Sequence, residues 1–180
     1  MRSLLLFLVV GLVAISSCDE TKFISATRST SISDSLVAVV LEAMPNEITG
    51  ERILSTATNP EIAEFEERIS DFDVDSLVFS ISEYVGDMDI ELRSNQLLLM
   101  DLDRNELLPA VNVPDISLYE FSEQGEDYIL RFTDEESQVI ADNFIADEGI
   151  IVQFHSYITG KPVSFRIKAT MYLKVTGEIL

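Results

Sequence analysis

Aspartate recurs at every second position in one stretch of the sequence, at Asp71, Asp73 and Asp75. Alternate carboxylates can converge on one hard cation, as they do at the start of a calcium-binding loop. Such a loop also needs glycine at its sixth position and glutamate at its twelfth, where this sequence has Ser76 and Ser82. On a strand, the same spacing places the carboxylates along one solvent-exposed face. We therefore predict no metal site in this run.

A second acidic run contains Asp101, Asp103 and Asn105. Its sixth position is Glu106 instead of glycine, and its twelfth is Asn112 instead of glutamate. This run therefore also lacks the pattern of a calcium loop.

The single histidine, His155, is followed directly by Ser156, so a general base and a nucleophile are neighbours in the sequence. Adjacent residues on a strand point to opposite faces, which separates these two side chains. The sequence has no Gly-x-Ser-x-Gly motif, and a zinc site would need further histidines or cysteines. We interpret His155 as a residue on a half-exposed sheet face.

Acidic residues number 32, so a pair of carboxylates suited to glycoside hydrolysis is uninformative by itself. Sugar-cleaving sites also use aromatic side chains that stack on the substrate, and the sequence has no Trp. A phosphate loop and a dinucleotide fingerprint are absent from the sequence as well. The sequence thus predicts no catalytic residue and no cofactor.

The only cysteine, Cys18, closes an N-terminal segment of distinct composition. Arg2 gives a basic start, residues 4–15 are apolar, and Ser17 is a small residue directly before the cysteine. This pattern resembles the signal peptide of a bacterial lipoprotein, which is cut before the cysteine so that the new N-terminus is acylated. A plain secretory signal peptide is the alternative. The resemblance implies lipidation of Cys18 and attachment to a membrane through that lipid.

Two acidic residues, Asp19 and Glu20, follow the cysteine. They resemble the surface-export signal of Bacteroidota lipoproteins, whereas an aspartate at this place in enteric bacteria resembles an inner-membrane retention signal. We expect an outer-membrane lipoprotein of the cell envelope, and the sequence leaves the periplasmic and the surface side open.

The formal net charge of −20 excludes one class of partner. Nucleic-acid binding needs clustered Lys and Arg, and the sequence contains no such cluster. We divide the chain into a signal peptide at residues 1–17, a flexible Ser/Thr-rich tether at residues 18–34, and a single domain at residues 35–180.

The clearest structural pattern lies near the C-terminus, where apolar and polar residues alternate with a period of two. This alternation predicts a strand over residues 163–175, a turn at residues 159–162 and a partner strand over residues 150–158, which together form a long hairpin. A second hairpin is predicted to turn near Gly86. Further strands are expected at residues 36–41, 96–101 and 116–121.

Two helices are predicted between the strands. Asn59 and Pro60 are a good N-cap and first helical residue for a helix whose apolar stripe runs to Phe72. The second helix begins at Thr133 with a capping box completed by Glu136 and carries Val139, Ile140 and Phe144 toward the core.

These elements predict a mainly β fold, an antiparallel two-layer β-sandwich of the immunoglobulin-like or jelly-roll-like kind with two short helices. The layout is similar to that of short, uncharacterised Bacteroidota lipoproteins. The matching features are the lipobox, the early Ser/Thr strand, the stretches at residues 69–77 and 83–86, and the hairpin at residues 162–165. The resemblance implies location and fold and brings no catalytic residues.

Three functions follow from these observations. The first is a lipid-anchored, non-enzymatic interaction or accessory module of the cell envelope with an envelope protein as partner. The second is a carrier of an apolar or carbohydrate ligand between the sheets, suggested by Phe144, Phe154, Phe165 and Met171 on apolar faces. A hydrolase is the third.

Overall fold

Long antiparallel strands dominate the structure, a computed structural model that describes residues 24–63, 65, 68–147 and 149–179. The strands of this part of the chain are, in order, β1 (Ile24–Val40), β2 (Glu47–Ser55), β3 (Ile69–Val85), β4 (Glu91–Met100), β5 (Val111–Val113), β6 (Ile116–Ser117), β7 (Asp127–Arg131), β8 (Gly149–Ile158) and β9 (Val163–Ile179). The helices are α1 (Pro60–Ala63), α2 (Leu118–Gln124) and α3 (Asp134–Asp147), and a 3-10 turn covers Thr56–Thr58.

The strands form two antiparallel sheets. In sheet A the order is β1-β9-β3-β7, and in sheet B it is β2-β8-β4-β5, with β6 also paired to β4. Successive strands mostly alternate between the two sheets, which is the connectivity of a jelly roll. The predicted antiparallel sandwich is therefore confirmed, in its jelly-roll form.

The core lies between the sheets and is built from the inward residues of both. Sheet A contributes Leu77, Phe165 and Met171, and sheet B contributes Leu97 and Ile150, all of them almost fully buried. Because the strands alternate with a period of two, every second residue enters this layer and most of the others face away from it, although a few of these, such as Ile151 and Thr170, are also buried. This burial supplies the main stabilisation of the fold.

The two predicted hairpins are wrong in their pairing. Strands β8 and β9 follow one another in the chain but belong to different sheets, and so do β3 and β4. Phe154 of β8 and Phe165 of β9 both point inward, so their apolar faces meet across the core instead of lying side by side. An alternating pattern identifies the buried face of a strand but does not specify its hydrogen-bonded neighbour.

The first predicted helix is correct at its start and too long. Asn59 is the N-cap, because its Oδ1 accepts hydrogen bonds from the backbone N–H of Glu61 at 2.8 Å and of Ile62 at 3.3 Å. Helix α1 ends at Ala63, however, and Phe72 lies in β3. The alternation of aspartates with Phe72 also fits a strand, and pairing with β9 along the sheet favours that structure.

The second predicted helix is confirmed as α3. The Thr133 Oγ1 accepts from the Glu136 backbone N–H at 3.3 Å, and the Glu136 carboxylate accepts from the Thr133 N–H at 2.8 Å, which completes the capping box. Ile140 and Phe144 are buried as predicted, whereas Val139 is exposed. No helix in the described residues is long and apolar enough to cross a membrane.

The predicted strand at residues 116–121 is mostly helix. Only Ile116–Ser117 is extended, and α2 begins at Leu118. The Ser117 hydroxyl accepts from the Glu120 N–H at 3.3 Å, and Gly125 ends the helix with a φ of 64°. A serine cap and a left-handed glycine are the signals of this helix in the sequence.

The tether predicted at residues 18–34 requires correction, because β1 already begins at Ile24. Strand β1 pairs with β9 from Ile24 to Val40, so the domain starts before residue 35. Its low apolar content reflects an edge strand with one face in solvent, and the backbone pairing does not depend on side-chain hydrophobicity. Residues 18–23 lie outside the described residues.

Candidate functional site

The lipidation site predicted at Cys18 lies outside the described residues. It therefore stays a prediction from the sequence. The other predicted or rejected sites lie within the described part of the chain.

The aspartates of the first acidic run lie on the outer face of sheet A. Asp71, Asp73 and Asp75 are all exposed on β3. The Asp73 carboxylate lies 2.6 Å from the Lys174 Nζ on β9, and the pKa of Lys174 is raised by this hydrogen bond and by the charge of Asp73. Asp73 and Asp75 thus lie beside basic side chains, Lys174 and Arg131, and the described residues contain no cluster of three or more metal-ligating side chains.

The second acidic run forms a turn that is closed by its own side chains. The Asp101 carboxylate accepts hydrogen bonds from the Asn105 backbone N–H at 2.8 Å and from the Asn105 Nδ2 at 2.7 Å. These bonds to the charged form lower the pKa of Asp101. The carboxylate therefore has a structural role in ending β4.

The structure separates His155 from Ser156, as the sequence predicted. The His155 Nδ1 is 3.1 Å from the Thr49 Oγ1 on the outer face of sheet B. Ser156 points inward, and its hydroxyl donates to the Asn95 Oδ1 at 2.5 Å in the buried core. A hydroxyl in this position cannot reach His155 and has no access to a substrate.

The space between the sheets is small. A cavity near Phe79 and Phe154 measures about 20 Å³ and is lined by apolar side chains. This volume holds roughly one water molecule, whereas a small-molecule site needs roughly 300 Å³ or more. Phe144, Phe154, Phe165 and Met171, the residues that suggested a carrier, are all packed in the core.

An exposed apolar surface lies at the end of sheet A where β1 and β3 end and β9 begins, and it combines outward residues of these strands with the turn that follows β1. We call it the valine patch, and its members are Val37, Val39, Leu41, Met44 and Val85. Each of these side chains is at least 45% exposed. Val39 and Val85 flank the small residue Ser164 from opposite sides, because both pair with it across the sheet.

A shallow groove crosses the middle of the outer face of sheet A. It consists of two adjoining hollows of about 460 Å³ and 400 Å³, which share Ser29, Thr30 and Tyr172. We call it the Tyr172 groove. Tyr172 projects outward from β9 and is 46% exposed. Its cross-strand neighbours are Ser31 on β1 and Ser76 on β3, both small hydroxyl residues.

One rim of the groove is held by a hydrogen-bond network at the start of α1. The Asn59 Nδ2 donates to the Thr30 Oγ1 at 3.0 Å and to the Ser31 carbonyl at 2.8 Å. The Thr30 hydroxyl in turn donates to the Glu61 carboxylate. The helix cap therefore also fixes the edge strand beside the groove.

The opposite side of the groove contains a β-bulge. The pairing of β3 with β9 shifts between Val74 and Ser76, which leaves Asp75 as the extra residue. Its carboxylate accepts from the Ser76 hydroxyl at 2.8 Å and lies 4.0 Å from the Arg131 guanidinium on β7. Bulges redirect side chains in this way.

Tyr172 and the valine patch are absent from the sites predicted by the sequence. The signal for Tyr172 is an aromatic residue among the polar outward positions Thr170 and Lys174. The signal for the patch is the change along β1 from outward serines to outward Val37 and Val39.

No protein-family model matches the chain, and a search of curated proteins finds no match. Among solved structures, the fold is similar to a decameric capsid protein of BFDV, with 8% identity, a TM-score of 0.47, and coverage of 83% of this chain and 99% of that one. It is also similar to Desmodium yellow mottle tymovirus, with 10% identity, a TM-score of 0.38, and coverage of 88% and 90%. Because both TM-scores are below 0.5, these similarities carry no functional argument.

Proposed function

We propose that this chain is a lipid-anchored, non-enzymatic interaction module of the bacterial cell envelope, attached to the outer membrane through Cys18. The basic start at Arg2, the apolar residues 4–15 and the single cysteine support the anchor. The interaction role rests on one observation, the valine patch.

The valine patch has the composition of an interface core. Its five large apolar side chains are exposed together, while the jelly roll buries its other apolar residues mainly between the sheets. A contiguous group of exposed apolar residues marks a protein contact more often than isolated ones do. Apolar residues surrounded by polar ones are also the usual arrangement at the centre of a protein interface.

The charge around the patch defines the partner. Glu42 follows Leu41 directly, Glu83 is paired with Arg166 at 3.0 Å beside Val37, and the Lys161 ammonium donates to the Met44 and Glu42 carbonyls. The whole chain carries a net charge of −20, which opposes association with a second copy. The partner is therefore an envelope protein other than a second copy of this chain, with an apolar surface bordered by charges of both signs.

The length of β1 fits this role. The strand has 17 residues, so its two ends are roughly 50 Å apart. In the sequence, Cys18 precedes the N-terminal end of β1, and the valine patch lies at the C-terminal end of this strand. A lipid on Cys18 would thus leave the patch directed away from the bilayer, where another protein can reach it.

Two alternatives are less well supported. A carrier needs room between the sheets, and the cavity near Phe154 measures about 20 Å³. For a hydrolase, the nucleophile and base that the sequence places side by side are Ser156 and His155, and the Ser156 hydroxyl is buried and donates to Asn95.

The test is site-specific photocrosslinking in intact cells that express the full chain. One version carries a photoreactive residue at Val39, and its matched control carries the same residue at Ile53 on the outer face of sheet B; these positions are 53% and 52% exposed. We expect a discrete adduct only from position 39. Val37→Asp should abolish this adduct and Ser33→Asp, on the same face of β1, should retain it. Cys18→Ser should release the chain from the membrane fraction and remove the adduct.

Two results would contradict the proposal separately. Identical adducts from positions 39 and 53, or an adduct that survives Val37→Asp, would reject the valine patch as an interface. A Cys18→Ser chain that remains in the membrane fraction, together with no fatty acid on the parent chain, would reject the lipid anchor.

A further inference from the structure

We propose that the Tyr172 groove is a binding site for a neutral saccharide. This site lies on the outer face of sheet A and is separate from the space between the sheets. The proposal depends neither on the lipid anchor nor on the valine patch.

Tyr172 provides the platform. Its ring projects from a central strand of the sheet, and the residues opposite it, Ser31 and Ser76, are too small to cover the ring. A pyranose ring has a face of C–H groups with hydroxyls around its rim, so it can stack on an exposed aromatic face. A tyrosine is suited to this contact because its ring is apolar and its hydroxyl remains polar.

The surroundings of the ring supply both donors and acceptors. Arg131 has a guanidinium whose side chain is 72% exposed, and the Asp75 carboxylate, 4.0 Å away, is 61% exposed. Lys174 and Asp73 form a second pair of this kind. Neighbouring sugar hydroxyls donate and accept at the same time, so adjacent acidic and basic side chains complement them. The bulge at Asp75 brings one such pair beside the aromatic ring.

The rim is fixed before a ligand binds. Asn59 holds Thr30 and the Ser31 carbonyl in place, and Thr30 donates to Glu61. A preformed rim reduces the entropy lost when the groove orders around a ligand. The two hollows, about 460 Å³ and 400 Å³, are shallow and open at the surface, which suits a chain of linked sugars lying along the sheet.

Charge selects a neutral ligand over an anionic one. Four exposed acidic side chains, Glu61, Asp73, Asp75 and Asp127, lie in or beside the groove, against Arg131 and Lys174 as bases. This excess of negative charge, with a chain charge of −20, opposes uronates, sialosides and phosphates.

The test titrates the purified full chain with maltohexaose, cellohexaose, mannohexaose and chitohexaose as neutral probes, and with hexagalacturonate as the anionic probe. Binding is followed by isothermal titration calorimetry, whose signal does not depend on the tyrosine that the key variant removes. We expect at least one neutral probe to bind with a Kd below about 1 mM. Tyr172→Ala should weaken that binding at least about tenfold.

Tyr157→Ala is the matched control, because Tyr157 and Tyr172 are both 46% exposed and lie on opposite outer faces. It should leave the affinity unchanged, as should Tyr172→Phe to within about threefold, while Arg131→Gln should also weaken binding. Circular dichroism verifies that each variant is folded. Failure of all four neutral probes, tighter binding of hexagalacturonate, or equal losses in Tyr172→Ala and Tyr157→Ala would overturn the proposal.

Discussion

The two faces of sheet A are made from the same strands and differ in nearly every property. On β9, Phe165 and Met171 point inward and are almost fully buried, while their neighbours Arg166 and Tyr172 point outward, the first half-buried and the second exposed. The inward residues have to fill the space against sheet B, so their chemistry is restricted to apolar side chains. The outward residues have no such restriction. The fold is therefore specified by one face, and the candidate sites lie on the other.

The largest effect is expected at the inward face. Phe165→Ala removes a fully buried aromatic ring and should lower the free energy of unfolding by about 3–5 kcal/mol. Arg166→Ala, one residue along on the outward face, loses the ion pair with Glu83 and a hydrogen bond to the Ser35 hydroxyl at 3.2 Å, and should cost about 1–2 kcal/mol. Urea unfolding followed by circular dichroism measures both changes. Equal losses of stability in the two variants would contradict the difference between the two faces, because the outward face would then contribute as much to stability as the core.

This contrast explains what the sequence could predict. The alternation in β9 and the capping box at Thr133 and Glu136 are local patterns, and the structure confirms the strand and the helix that they predict. The burial of Phe144, Phe154, Phe165 and Met171 also follows from pattern alone.

The pairing of the strands could not be predicted in the same way. Strands β8 and β9 are separated by only four residues, which favours a hairpin locally, yet each pairs within a different sheet. The choice depends on contacts between residues far apart in the chain, such as Ile32 beside Met171. The Tyr172 groove could not be predicted for the same reason, because Ser29, Asp75 and Arg131 come together only in the folded sheet.

A second, smaller loss of stability is expected at Gly177, where the inward face of β9 contacts the residues that precede β3. A Cβ atom on Gly177 would lie 2.7 Å from the Arg68 carbonyl oxygen and 2.8 Å from the Phe65 ring. Gly177→Val should therefore lower the free energy of unfolding by about 1–3 kcal/mol through overpacking.

Thr176→Val is the outward control at the next position. Thr176 contacts the Thr27 hydroxyl at 2.9 Å on the outer face, and valine is a good strand residue, so the change should stay within about 0.5 kcal/mol. Thermal or urea unfolding of the two variants tests this difference. A Gly177→Val chain as stable as the parent would show that the structure has room for additional atoms beside Gly177.

The smallest effect is expected at the outward ion pair of Asp73 and Lys174. The hydrogen bond and the charge of Asp73 raise the pKa of Lys174 above its ordinary value. The pair therefore stabilises the folded state at pH values below that ordinary pKa. This contribution is lost as the pH rises through the higher pKa of the folded state. Asp73→Asn should lower the Lys174 pKa toward its ordinary value and reduce that alkaline dependence, with the charge of Asp75 as the smaller remaining influence, and NMR titration of the lysine side chain measures this directly. Because both groups are exposed, salt should reduce the shift in the parent chain. If Asp73→Asn leaves the Lys174 pKa unchanged, the two side chains do not interact in solution, and the outward face is more loosely organised than the hydrogen bond of 2.6 Å indicates.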